Sequence, residues 1–194
     1  VSTKHWVFIH GIFSDGSESI DRLRPFFECA GHTVEEMDYG WSGPLGARAD
    51  NPERAERLAT LTRHRASEGK CVAWLAHSNG NAIGKRALDL PDLSVDQWIM
   101  LNPALDVDIQ VGPGVRRIDV VSGHDDRAVE LARLIPGSIW GALGSRGYAG
   151  TDERFHQWWW EDLFDNEEDI GHSGWAIGDL VGKSGPWLTW LAGQ

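Results

Sequence analysis

The chain has 194 residues, 41% of them hydrophobic, which is enough to bury one real core and implies one domain rather than two. Its formal net charge of -11 opposes phosphate backbones and anionic membrane surfaces, so nucleic acid is not a natural partner for the surface as a whole. No apolar run approaches the roughly 18 residues of a membrane span, and residues 1–11 lack the basic-then-apolar pattern of a leader. The expectation is a soluble chain with the cytoplasm favoured, although Val1 in place of Met leaves an upstream segment open.

Strand and helix patterns alternate along the chain. The run KHWVFIH over 4–10 is β-branched and aromatic and stops at Gly11, as a buried strand ending in a tight turn does. Residues 17–29 carry Ile20, Leu23, Phe26 and Phe27 at helical spacing, with Pro25 marking a bend or restart. A second strand is expected over 32–37. After a Gly/Pro-rich loop over 40–46, Asn51-Pro52 reads as a cap and first-turn proline opening a helix to about Ser67. The third strand, over 71–76, runs directly into a helix over 79–88. Strands over 97–101 and 117–121, a helix over 127–134 and a last strand over 138–143 complete the pattern. Cys29 and Cys71 fall at a helix end and a strand start, and are expected as reduced core thiols without a bridge. Helical segments between strands imply parallel pairing, hence a three-layer α/β/α sandwich around a mostly parallel sheet of about six strands.

Ala76-His77-Ser78-Asn79-Gly80 sits between the most apolar strand and a helix. A serine on so sharp a turn needs small neighbours, and its hydroxyl stands above the sheet edge. Taken by itself the pentapeptide is equally a Ser-Asn helix cap. A nucleophilic serine requires a base to take its proton and an acid to orient that base, and both types follow in order. Gly123-His124-Asp125-Asp126 follows the fifth strand, and Gly171-His172-Ser173-Gly174 lies near the end. Asp126 is preferred to Asp125, because three residues past the turn glycine the chain can fold back toward the base; either aspartate could instead cap the next helix. The oxyanion donors are expected at the amides of Asn79, at a helix start, and of Ile12, or less favourably Phe13, after Gly11.

These residues together resemble the α/β-hydrolase superfamily: H-G-I-F-S at 10–14, A-H-S-N-G at 76–80, L-N-P-A at 101–104, G-H-D-D at 123–126 and G-H-S-G at 171–174. The short length and the A-x-S-x-G form make the chain similar to small lidless bacterial lipases and esterases. The resemblance implies a minimal α/β-hydrolase fold with Ser78 as nucleophile, Asp126 as acid and His172 as base, acting on a small-molecule ester through an acyl-enzyme. Thioesterase, amidase or acyltransferase chemistry fits the same residues, and a catalytically silent interaction protein is the rival from another class. No cofactor is implied, and no spacing among the acids and histidines matches a metal-ligand motif.

Phe13, His77 and Trp175 are the expected substrate-binding side chains, with a packing or supporting role in the turn as the alternative for His77, beside the nucleophile. Of the other histidines, His10 belongs to the first loop, His124 neighbours the acid, and His156 sits among aromatics. Residues 144–170 match no part of the resemblance and are expected as a Trp-rich acidic loop or flap. Eight acids there, between 151 and 170, face one Arg154, and Trp158, Trp159 and Trp160 are consecutive. Such a segment either packs over the sheet edge or lines an acyl pocket, and its charge disfavours strongly anionic substrates.

Overall fold

The computed structural model describes residues 3–13, 19–40, 43–132, 134, 140–164, 171–176 and 179–194. Six parallel strands, β1 (His5–Ile9), β2 (Thr33–Glu36), β3 (Val72–His77), β4 (Val95–Leu101), β5 (Val115–Ser122) and β6 (Phe155–Trp159), form one sheet in the order β2-β1-β3-β4-β5-β6. Side chains alternate across the pleat, so each strand feeds two cores. On one face Val7, Ile9, Trp74, Ala76, Trp98 and Met100 meet α2 (Pro44–Ser67) and α3 (Asn79–Leu88). On the other, Trp6, Phe8, Leu75, Ile99 and Leu101 meet α1 (Arg24–Cys29), α6 (Trp160–Leu163) and α7 (Leu180–Ala192). The short helices α4 (Arg127–Ala132) and α5 (Leu143–Arg146) follow β5. This is the expected three-layer α/β/α sandwich. No described helix is long and apolar enough to cross a membrane.

Three elements and the exposure of the cysteines differ from the sequence reading by more than a residue or two. The first helical stretch is a 3-10 turn over Ile20–Leu23 that passes into α1 at Arg24, with Pro25 in the first α turn, where its missing N–H costs nothing. α2 begins at Pro44 behind Gly43, not at Asn51, and carries Pro52 inside it. Asn51 imitates a cap in sequence, but its amide is buried and exchanges hydrogen bonds with Asn79, at 3.0 and 3.2 Å. Tertiary pairing thus overrides the local signal. The last strand is β6, not 138–143; the described part of that stretch runs into α5, and 138–139 lie outside the described residues. Cys29 and Cys71 are free as expected but exposed rather than in the core: Phe27 is the buried residue of α1, and Cys71 falls one residue short of β3.

The aromatic run is therefore built into the domain as an edge strand and a helical turn. Phe155 packs on one core, and Trp158 on the other, edge-on to Trp187 and Trp190 at 5.9 and 6.0 Å between ring centroids. Trp160 is fully buried and stacks on Trp175 at 5.9 Å. Consecutive tryptophans that could not share one face of a helix are accommodated by the period of two in a strand.

Candidate active site

Ser78 is the single residue between β3 and α3, and it takes φ 52°, ψ -121°. An L-residue there is strained by about 1–3 kcal/mol, which the surrounding structure must impose. Main-chain pairing does so from both sides: Ser78 N–H donates to Leu101 O at 3.0 Å, and Asn81 N–H donates to Ser78 O at 3.1 Å. The Asn81 amide adds bonds to Ala76 O at 3.1 Å and Ser78 O at 3.2 Å. Close approach explains the small residues. A Cβ on Gly80 would stand 2.4 Å from Ile9 O and 2.7 Å from His10 O, and one on Gly11 would stand 3.0 Å from the Ser78 Cβ. Ala76, two residues before the serine, is fully buried in the core cluster. Of the described non-glycine residues with positive φ, Phe13, Ser78 and Asn102 all border this site.

Asp126 lies at the start of α4 and is 1% exposed. Its Oδ1 accepts the Val129 amide at 3.1 Å, which is a helix cap, while both carboxylate oxygens stand 2.9 Å from His172 Nδ1. The capping and base-orienting roles weighed for this residue are therefore compatible in one side chain. Asp125 is exposed. Asn102 at the end of β4 donates its Nδ2–H to Asp126 Oδ2 at 2.9 Å and accepts the Trp160 indole N–H at 2.7 Å. Burial pushes the Asp126 carboxyl up, but the hydrogen bonds from His172, Val129 and Asn102 and the charge of His172 outweigh it, so the net shift is downward. A carboxylate accepts only, so His172 carries its proton on Nδ1 when neutral, leaving Nε2 as the basic nitrogen.

Ser78 and His172 both line a cavity of about 430 Å³, at the small end of the range for small-molecule pockets. The rest of its described lining is apolar: Ile12, Phe13, Ala104, Ala128, Val129, Leu131, Ala132 and Trp140. Phe13 and Leu131 are 60% and 65% exposed, which makes the rim apolar as well. Trp140 is fixed by its indole N–H, 3.1 Å from Asn79 Oδ1. The wall of the cavity is thereby tied to the residue after Ser78. Tyr39 stacks on His10 at 3.8 Å and donates its hydroxyl to the carbonyls of His10 and Gly11, bracing the loop that carries Ile12.

Of the expected substrate-binding residues, Phe13 lines the cavity, whereas His77 and Trp175 do not: both are buried and packed edge-on to each other at 5.2 Å. None of Trp158, Trp159 and Trp160 lines it either. His10 is buried against Tyr39, and His124 is exposed and stacks on Trp159 at 4.0 Å. Among the described residues no cluster of three or more metal-binding side chains occurs. The sequence marks Asn51 only as a helix cap and Asn102 only within L-N-P-A, and it does not single out Asn81 or Trp140. Asn102 carried the one available signal, an Asn-Pro pair closing an apolar strand, while the other three acquire partners only through folding.

No protein-family model matches the chain, and no curated protein matches it in sequence. Solved structures do match. A protein of the α/β-hydrolase superfamily from Xanthomonas campestris pv. campestris aligns over 98% of both chains at 19% identity with a TM-score of 0.60. SOBER1 of Arabidopsis thaliana aligns over 97% of both chains at 15% identity and 0.59. A carboxylesterase from Mesorhizobium loti aligns over all of this chain and 90% of its own at 18% identity and 0.51. The chain has the α/β-hydrolase fold. Identities this low establish the fold and leave the reaction to be argued from the site.

Proposed function

We propose that this protein is a serine hydrolase that cleaves carboxylic esters of small to medium, neutral acyl groups through an acyl-enzyme. The observation that carries the reading is the pairing of His172 Nδ1 with both oxygens of a buried Asp126 at 2.9 Å, in a cavity that Ser78 shares. Ser78 Oγ attacks the ester carbonyl while His172 Nε2 takes its proton, and Asp126 stabilises the imidazolium that forms. The oxyanion is met by the amides of Ile12 and Asn79; the latter stands at the N-terminus of α3, where the first amides have no intrahelical acceptor. His172 returns the proton to the departing alcohol. Water then attacks the acyl-enzyme by the same sequence in reverse, with His172 as its base. The apolar lining favours an uncharged acyl chain, because burying a charge there unpaired costs several kcal/mol.

The test is hydrolysis of p-nitrophenyl esters from acetate to laurate, beside a matched thioester and anilide, by the parent protein and by Ser78→Ala. Turnover that favours the shorter neutral esters and vanishes in Ser78→Ala is expected. Preference for the thioester or anilide would move the assignment to that bond, and folded parent protein inert toward all of them would end it.

A further inference from the structure

His77 closes β3, and Ser78 is the next residue. The imidazole is 4% exposed and packs against the His172 ring at 4.7 Å between centroids. Its Nε2 lies 3.0 Å from the main-chain oxygen of His172. A carbonyl oxygen accepts only, so Nε2 carries the proton, and a neutral ring leaves Nδ1 as a bare acceptor. Nδ1 has no partner among the described residues and lies beside Gly11, where an added Cβ would stand 3.3 Å away. Burial above all, with repulsion from His172 next, pushes the His77 pKa down to about 3. The ring therefore stays neutral, and Nε2 keeps its one proton, throughout the range in which a histidine base works.

We propose that His77 is a positioning residue whose Nε2–H holds the main chain of His172, so that the turn carrying the nucleophile also fixes the base. His172 is then held at two points: its ring by Asp126 and its backbone by His77. Farther along, Trp175 O accepts from Ser184 at 2.7 Å and Ala176 O from Arg22 at 3.2 Å, which anchors the segment after the base but not the base itself. Because His77 and Ser78 are consecutive, any shift of the turn carries nucleophile and base together. Misplacing a reacting group by about 1 Å costs on the order of a hundredfold in rate.

The proposal rests on the reading of Ser78 and His172 as the reacting pair, and His172→Ala tests that reading separately by loss of ester turnover. His77→Leu, which keeps apolar packing but removes the donor, is expected to lower kcat by about tenfold or more with KM nearly unchanged. His77→Gln, whose amide N–H reaches a similar position, is expected to recover most of that loss. Equal losses in both variants, or full activity in His77→Leu beside a dead His172→Ala, would overturn the proposal while leaving the pair intact. Should His77→Leu not fold, nitrogen NMR of the parent decides: a His77 ring protonated at Nε2 and unchanged from pH 5 to 9 is required. A ring protonated at Nδ1, or titrating in that interval, would refute it.

Discussion

Replacing Ser78 with glycine should stabilise the protein relative to replacing it with alanine. At an ordinary position glycine is worse than alanine by about 0.5–1 kcal/mol, because it has more backbone freedom to lose on folding. Position 78 has φ 52° and ψ -121°, a conformation that any Cβ strains by about 1–3 kcal/mol and that glycine adopts freely. Alanine keeps the strain and glycine releases it, so the two effects oppose each other and the larger one is relief. The net difference is about 1 kcal/mol in favour of glycine. Both variants lack the hydroxyl, so its lost contacts cancel in the comparison. Urea denaturation of the two variants at neutral pH measures the difference directly. A glycine variant less stable than the alanine variant would show that the turn is not strained, and the account of how the sheet edge raises this serine would fail with it.

Other outcomes follow from the same contacts. His77 is neutral when folded, with its pKa pushed from 6.5 to about 3, so the unfolded chain binds a proton that the folded chain refuses. Stability from this source is complete above pH 6.5 and falls as pH drops toward 3, a loss of about 2 kcal/mol at pH 5. Urea midpoints at pH 7.5 and 5 should show that loss in the parent and a smaller one in His77→Gln, and equal losses would contradict it. Asn102→Ala removes a donor from Asp126 and strands the buried Trp160 N–H, so stability should fall by about 2 kcal/mol and ester turnover should fall with it, read by denaturation and initial rates. Trp140→Ala should move the ester chain-length optimum to longer acyl groups, measured on the p-nitrophenyl series.

Much of this was legible in the residues. Runs such as VAWLAH followed at once by a serine and a helix admit few folded arrangements, and the order serine, aspartate, histidine is carried by three short glycine-punctuated motifs. β6 escaped because its run, FHQWW, is neither simply apolar nor a polar/apolar alternation. It becomes a strand because β5 offers an edge and α7 offers Trp187 and Trp190 to cover Trp158. The start of α2 escaped because Asn51-Pro52 mimics a cap, while the partner that claims the Asn51 amide, Asn79, lies 28 residues away. The partners of Asn81 and Asn102 escaped for the same reason: an amide's role is set by what folding brings to it. Trp175 was expected at the substrate because it stands three residues from His172 in sequence, but that interval is a short 3-10 turn that carries its ring into the core.

The central claim is that Ser78 is an activated nucleophile served by His172. Labelling with a fluorophosphonate probe, with the modified residue located by mass spectrometry, tests it most directly. The account predicts rapid labelling at Ser78 in the parent, none in Ser78→Ala, and strongly slowed labelling in His172→Ala. Folded parent protein that does not label, or that labels at another residue, would contradict it.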